Sequence, residues 1–254
     1  MSTTEMGSIV LFLLNIYFYT LFLLFSAVSI PILTIFIASL SVFLSRRQVM
    51  RWFRRVISWY GRLTIILFFP FIRVRYEDRS SGNAPAPAIF VCNHRSSSDP
   101  FLVSLFPGEL VQVVNVWPFR IPVLGRFARL AGYLNINRMS PEAFLEKALA
   151  LVSEKVSVVF FPEGTRSGGK KMGSFHGAAF RLALQANVPI VPICISGNER
   201  MPARHSLLLR PGLVRVRMLP AITQDCYDGL PVFPLKNRVR DIIRNELALM
   251  ENRV

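Results

Sequence analysis

From Met6 to Ser45 the chain carries no charged residue, in "MGSIVLFLLNIYFYTLFLLFSAVSIPILTIFIASLSVFLS". As an α-helix this run is about 60 Å long at 1.5 Å per residue, against roughly 30 Å for the hydrocarbon core of a bilayer. A secretory signal has a basic start, a shorter apolar stretch and a cleavage site. Here only Glu5 precedes the run, with no Lys or Arg, so the segment is expected to remain in the protein as a membrane anchor. Pro31, flanked by Ser26, Ser29 and Thr34, either kinks one long tilted helix or turns a two-helix hairpin. The hairpin is the expectation, because a single span of this length leaves much apolar helix without cover.

Directly after the run come Arg46, Arg47, Arg51, Arg54, Arg55 and Arg62, interleaved with Trp52, Phe53, Trp59 and Tyr60. Arginine beside aromatic rings at the end of an apolar segment reads as a cytoplasmic interfacial stretch, facing anionic headgroups. The whole chain holds 30 Lys and Arg against 15 Asp and Glu, a formal charge of +15, which calls for an anionic partner. A nucleic-acid-binding helix is disfavoured, since the stretch continues into "LTIILFFPFI", more apolar than a groove-binding helix requires. Cys92, Cys194 and Cys226 are odd in number and show no C-x-x-C spacing, so neither a disulfide framework nor a cysteine metal site is expected.

The Pro-, Gly- and Ser-rich stretch Glu77 to Ala88 marks a linker. It divides the chain into an anchoring hydrophobic hairpin with its basic segment, residues 1–76, and a second domain, residues 77–254. In that domain short apolar runs such as "AIFVC", "ELVQVV", "VSVVFF" and "IVPICI" alternate with helical patterns. "SPEAFLEKALALVSEK" is the clearest of these, with Ser140 as N-cap and Pro141 in the first turn. Such alternation predicts an α/β fold, a sheet flanked by helices. "LLLRPGLVRVRML" reads as a hairpin, which would make the sheet mixed, and residues Pro234 to Asn252 read as a closing helix.

Two loops that follow predicted strands hold the candidate chemistry. In "FVCNHRSSSDP", His94 stands five positions before Asp99. A carboxylate accepting from one imidazole nitrogen fixes the tautomer and leaves the other nitrogen free to take a proton from a hydroxyl. The same Asp99 followed by Pro100 is also a good helix start, and the two roles are compatible because a carboxylate has about four acceptor sites. In "FFPEGTRSGGKK" a strand ends in a Pro-Glu-Gly turn followed by Thr165, Arg166, Ser167 and two lysines. Backbone N–H groups, hydroxyls and cations converge there on a phosphate, unless the turn is simply solvated. The Walker order of glycines and lysine is missing.

Together "NHRSSSDP" and "FFPEGTRS" resemble the N-H-x4-D and F-P-E-G-T-R-S motifs of the glycerolipid acyltransferases, the family that includes lysophosphatidic acid acyltransferases. "FRIPVLGRFARLAGYLNINR", Phe119 to Arg138, and "VPIVPICI", Val188 to Ile195, resemble two further blocks in order and spacing. The resemblance implies transfer of a fatty acyl group from acyl-CoA or acyl carrier protein to the free hydroxyl of a lysophospholipid, most simply 1-acylglycerol 3-phosphate. It implies His94 and Asp99 as catalytic residues, and Arg138, Glu163, Gly164, Thr165 and Arg166 as the acceptor site, with Glu163 holding a glycerol hydroxyl. No metal and no cofactor beyond the thioester co-substrate is expected. Direct transfer is implied as well, although Ser96, Ser97 and Ser98 lie close to His94, and the chain has no G-x-S-x-G elbow. Asn137 stands where many members carry aspartate, and "NVWPF", Asn115 to Phe119, replaces the frequent Lys-Glu-Leu. Another acceptor such as a lyso-aminolipid is therefore an alternative, as is a catalytically silent membrane-binding protein. The enzyme is expected to be membrane-bound with its site facing the cytoplasm.

Overall fold

The computed structural model describes residues 3–80, 85–115, 119, 123–168, 171–203 and 205–252. Parts of the linker, of "NVWPF" and of the second block, with Gly169 and Lys170, lie outside them. Within the described residues a seven-stranded sheet runs β1-β7-β6-β2-β5-β3-β4. Its strands are β1 (Ile72–Asp78), β2 (Ile89–Cys92), β3 (Leu110–Val114), β4 (Leu134–Asn135), β5 (Ser157–Phe160), β6 (Ile190–Ser196) and β7 (Gly212–Met218). Five of them, β6 to β4 in spatial order, are mutually parallel, and β7 joins β6 antiparallel. The sheet is mixed, as expected. The central strands β2, β5 and β6 are buried at every position, the signature of strands covered on both faces.

Helix α4 (Leu124–Leu130) links β3 to β4, and one face of the sheet packs against α5 (Pro141–Ser153), α6 (Ala178–Ala186) and α7 (Val232–Glu251), through residues such as Phe144, Phe180 and Ile243. The N-terminus of α5 is capped as its sequence predicts, with Ser140 Oγ accepting from Ala143 N at 3.2 Å and Pro141 in the first turn. The opposite face carries Phe90 and Val159 against Leu102, Val103 and Phe106, contributed by the short helix α3 (Asp99–Leu102), the 3-10 turn Val103–Leu105 and the residue that follows it. The hairpin expected over Leu207–Leu219 does not form. Only its second half is a strand, because "VRVRM" pairs with β6 on one side and with the parallel "VRY" of β1 on the other. That strand β1 runs through the division expected at residue 76.

The long apolar run is one helix, α1 (Thr3–Phe43), with Pro31 inside it. The reversal expected at Pro31 occurs instead at Leu44–Ser45, where Ser45 and Gln48 form a capping box that starts α2 (Arg46–Leu67). Proline removes a single N–H, a small loss for a long helix. A turn in apolar surroundings would strand several backbone groups without partners. The ring pairs Phe36 with Trp52, Phe25 with Tyr60 and Phe18 with Phe68 show that α2 runs back antiparallel along α1. The helical hairpin exists, but its second arm is the basic segment.

One face of α1 is covered along its length by the chain itself. Near its start Asn15 is buried, donating to Leu209 O at 2.9 Å and accepting from Leu209 N at 2.7 Å. Farther on, Phe22 meets Phe101 edge-on. The other face exposes Ile9, Phe12, Leu24, Val28 and Ile35, and the stretch Gly7–Phe43 is long and apolar enough to cross a membrane. The arginines of α2 are not all turned to solvent. Arg47 and Arg54 bond Glu109 at 2.7 and 2.6 Å, and Arg54 also donates to Ala131 O at 3.0 Å. These contacts fix α2 to the edge of the sheet beside β3.

Candidate active site

In parallel strands all carboxyl ends lie on one edge, where the loops form a crevice. Among the loops at this edge are those after β2 (His94), β5 (Glu163), β6 (Asn198) and β4 (Arg138). His94 Nδ1 lies 2.6 Å from Asp99 Oδ2. Asp99 has no solvent exposure and opens α3 with Pro100 behind it, so it serves helix and histidine at once. Its carboxylate also accepts from Arg95 N at 2.7 Å, from Ser96 N at 3.0 Å and from the Asn198 amide. A buried carboxylate surrounded by donors remains an acceptor, so the proton of the shared bond sits on His94 Nδ1. Nε2 then has no hydrogen-bond partner among the described residues. The imidazole is 19% exposed.

The histidine's backbone is held by the turn after β5. Glu163 Oε1 accepts from His94 N at 2.7 Å, while Ser167 donates to His94 O from both N, at 2.8 Å, and Oγ, at 3.1 Å. Phe161 packs its ring on the imidazole, with centroids 4.8 Å apart. Glu163 was expected to grip a glycerol hydroxyl. It is buried, and its second oxygen accepts from Gly173 N at 2.9 Å, so each oxygen also helps to align a loop. Gly164 has φ +68°, and a Cβ there would lie 3.1 Å from His176 Nε2. The positive φ favours glycine there, while the exposed His176 ring can shift to admit a Cβ. Thr165 is exposed and Arg166 half-exposed. Arg138 is exposed in the loop that follows β4. By strand spacing it sits about 14 Å along the edge from the His94 loop, three strands over. Neither guanidinium has an ion-pair partner among the described residues.

The loop after β6 was missed in the sequence. Asn198 is fully buried and donates to Asp99, and Asn93 exchanges two hydrogen bonds with the backbone of Ile195. Arg95 pairs with Glu199 and Glu251, and Ser96 Oγ donates to Met201 O at 3.0 Å. The usable signal was "SGNER", a polar cluster immediately after an apolar strand. Ser96 is thereby engaged in structure and is not a free nucleophile.

A cavity of about 220 Å³ reaches the segment after β2 at Ser97 and Pro100. Its walls include Ile30 and Leu33 of α1, Val56 and Tyr60 of α2, and Phe101 and Leu110. Through Ile30 and Leu33, α1 therefore forms part of the cavity that reaches Ser97 and Pro100.

Comparison with known proteins agrees with this geometry. A model of the Acyltransferase family matches residues 73–196. A 1-acyl-sn-glycerol-3-phosphate acyltransferase of Limnanthes alba is 32% identical over 66% of this chain, which spans 62% of that protein. One from Salmonella typhimurium is 30% identical, over 73% of this chain and 75% of its own length. The crystal structure of the 1-acyl-sn-glycerophosphate acyltransferase from Thermotoga maritima has the same fold, with a TM-score of 0.77 at 21% identity, covering 96% of this chain and 97% of that one. By the match to the Salmonella protein in particular, the chain belongs to the acyltransferase family typified by the 1-acyl-sn-glycerol-3-phosphate acyltransferases.

Proposed function

We propose that the protein moves a fatty acyl group from acyl-CoA or acyl carrier protein to the free hydroxyl of 1-acylglycerol 3-phosphate, giving phosphatidic acid at a membrane surface. The observation that carries this reading is the 2.6 Å bond between His94 Nδ1 and the buried Asp99. An alcohol is a poor nucleophile until its proton is taken as it attacks. His94 Nε2 takes that proton while the oxygen adds to the thioester carbonyl, and Asp99 stabilises the imidazolium. Collapse of the tetrahedral adduct breaks the carbon–sulfur bond. The thiol, with an ordinary pKa of about 8.5, leaves as the anion or takes the proton back from His94.

Arg166 and Thr165, with Arg138 along the edge, hold the acceptor's phosphate by charge-assisted hydrogen bonds, and the cavity lined by α1, α2 and β3 takes the acyl chain. The reaction so written calls on no cofactor besides the thioester. The open face of α1 lies in the bilayer, with the basic arm at the cytoplasmic headgroups. Purified full-length protein in mixed micelles, given both donors and a panel of lysolipids including a lyso-aminolipid, tests this. Transfer to 1-acylglycerol 3-phosphate above all other acceptors is expected. Preference for an acceptor without phosphate would overturn the headgroup assignment, and absence of transfer to any would overturn the activity.

A further inference from the structure

A second cavity, of about 500 Å³, lies where the loop after β6 meets the start of β7 and the first turns of α1. Its charges do not cancel. Among the described residues that line it Glu199 is the only acid, and Glu199 is already paired with Arg95. Arg200 and Arg210 also line it. Both are exposed, Arg210 N donates to Arg200 O at 3.2 Å, and neither guanidinium has an ion-pair partner among the described residues. Arg95 and Arg217, by contrast, each hold two carboxylates. Two neighbouring cations without a counter-charge attract an anion, and the planar fork of a guanidinium matches phosphate.

The place of this cavity narrows what the anion is. β6 and β7 lie on one side of β2, the strand that leads into His94, whereas β5, β3 and β4, with Arg166, Arg138 and the first cavity, lie on the other. Met201, in the wall of the second cavity, packs in the same apolar cluster as Phe90 and Val159, so the two cavities share one face of the sheet. The second is also fastened to the catalytic loop, since Ser96 Oγ donates to Met201 O at 3.0 Å and Asn198, beside Glu199, donates to Asp99. An acyl thioester has two arms, the chain and the carrier, which leave the reacting carbonyl on opposite sides. With the chain in the first cavity and the carbonyl at His94, the carrier arm runs toward Arg200 and Arg210.

We infer that Arg200 and Arg210 bind the phosphate at the end of the donor's pantetheine arm, a group that coenzyme A and acyl carrier protein share. This rests on the acyltransferase reading above and adds to it the residues that hold the donor. The acceptor's phosphate, at Arg166 and Arg138, and the donor's phosphate are thereby kept on opposite sides of the histidine.

The test uses full-length protein in detergent, as wild type and as the double variant Arg200→Gln with Arg210→Gln, matched for melting temperature. Calorimetry measures the binding of coenzyme A, of pantetheine without phosphate, and of acyl carrier protein with and without its prosthetic arm. At least one phosphate-bearing ligand is expected to bind about tenfold more tightly than its phosphate-free counterpart, the scale of one charge-assisted hydrogen bond, and the double variant should lose that advantage. Whichever ligand shows the loss names the donor. Equal binding of both ligands by wild type and variant would overturn the proposal. So would a variant whose only loss is attachment to anionic vesicles, which would give the pair to the membrane surface. In turnover, kcat/KM for the acyl thioester should fall about tenfold in the variant with KM for the acceptor unchanged. A raised acceptor KM with unchanged donor KM would place the pair in the acceptor site and overturn the proposal as well. Phosphate-dependent binding that the variant loses, without transfer to any acceptor, would leave the phosphate site standing and sink the acyltransferase reading instead.

Discussion

At the scale of single residues, the site is a set of short bonds that each fix one degree of freedom. Asp99 sets the tautomer of His94, Asn198 helps hold Asp99, and Glu163 with Ser167 clamps the histidine's backbone. Asn198→Ala is expected to lower kcat about tenfold with little change in KM, because it loosens the carboxylate without touching the acceptor. A raised KM with normal kcat would place Asn198 in substrate binding. Arg166→Ala should do the reverse, raising KM for the phosphorylated acceptor, since its contact exists before the transition state. Unchanged KM with reduced turnover would contradict that role. The contact between His94 and Asp99 was legible because it spans only five positions. Asn198 was not, because its contact with Asp99 spans 99 positions and exists only once β6 lies beside β2.

At the scale of elements, most strands and helices of the α/β region follow from apolar runs and caps. The two misread pieces share a cause. β1 and β7 both alternate apolar residues with arginine, as "IRVRY" and "VRVRM", and each was assigned by its neighbours in sequence instead of its partner in the sheet. Two arginines of α2, Arg47 and Arg54, were likewise taken as headgroup contacts, whereas both gather on Glu109, more than 50 residues away. Burial alone would raise the pKa of the Glu109 carboxyl, but hydrogen bonds from Arg47 and Arg54 outweigh it and hold it below the usual carboxylate range. A depressed folded-state pKa contributes stability that is complete above the unfolded value of about 4.3 and is lost as pH falls through the folded value. Glu109→Gln should therefore destabilise the protein by about 3 kcal/mol at neutral pH, by leaving Arg54 buried and unpaired. It should also flatten the acid limb of the stability curve. Thermal unfolding from pH 3 to 7 checks both, and an unaltered acid limb would show that the cluster does not hold α2 in place.

At the scale of the whole molecule, the long apolar helix has one open face and one face covered by the rest of the chain. Its outer face is open, while its inner face contributes Ile30 and Leu33 to the cavity and binds the 207–209 loop through Asn15. The sequence announced an anchor by its lack of charge but gave no sign of the inner face, since Asn15 is the only strongly polar side chain there and apolar residues look alike to lipid and to protein. Removing residues 1–45 is accordingly expected to abolish activity on short, water-soluble acceptors as fully as on long-chain acceptors in vesicles. Survival of the soluble-acceptor activity in folded, truncated protein would reduce α1 to a tether.

The central claim is that acyl transfer runs on proton removal by His94. The most direct test is single-turnover transfer from an acyl thioester by full-length wild type and His94→Ala, with equal melting behaviour as proof of folding. The account predicts a fall of at least about a hundredfold in the rate of the chemical step, the usual scale for a lost general base. A folded His94→Ala protein that transfers the acyl group at a rate close to wild type would contradict it.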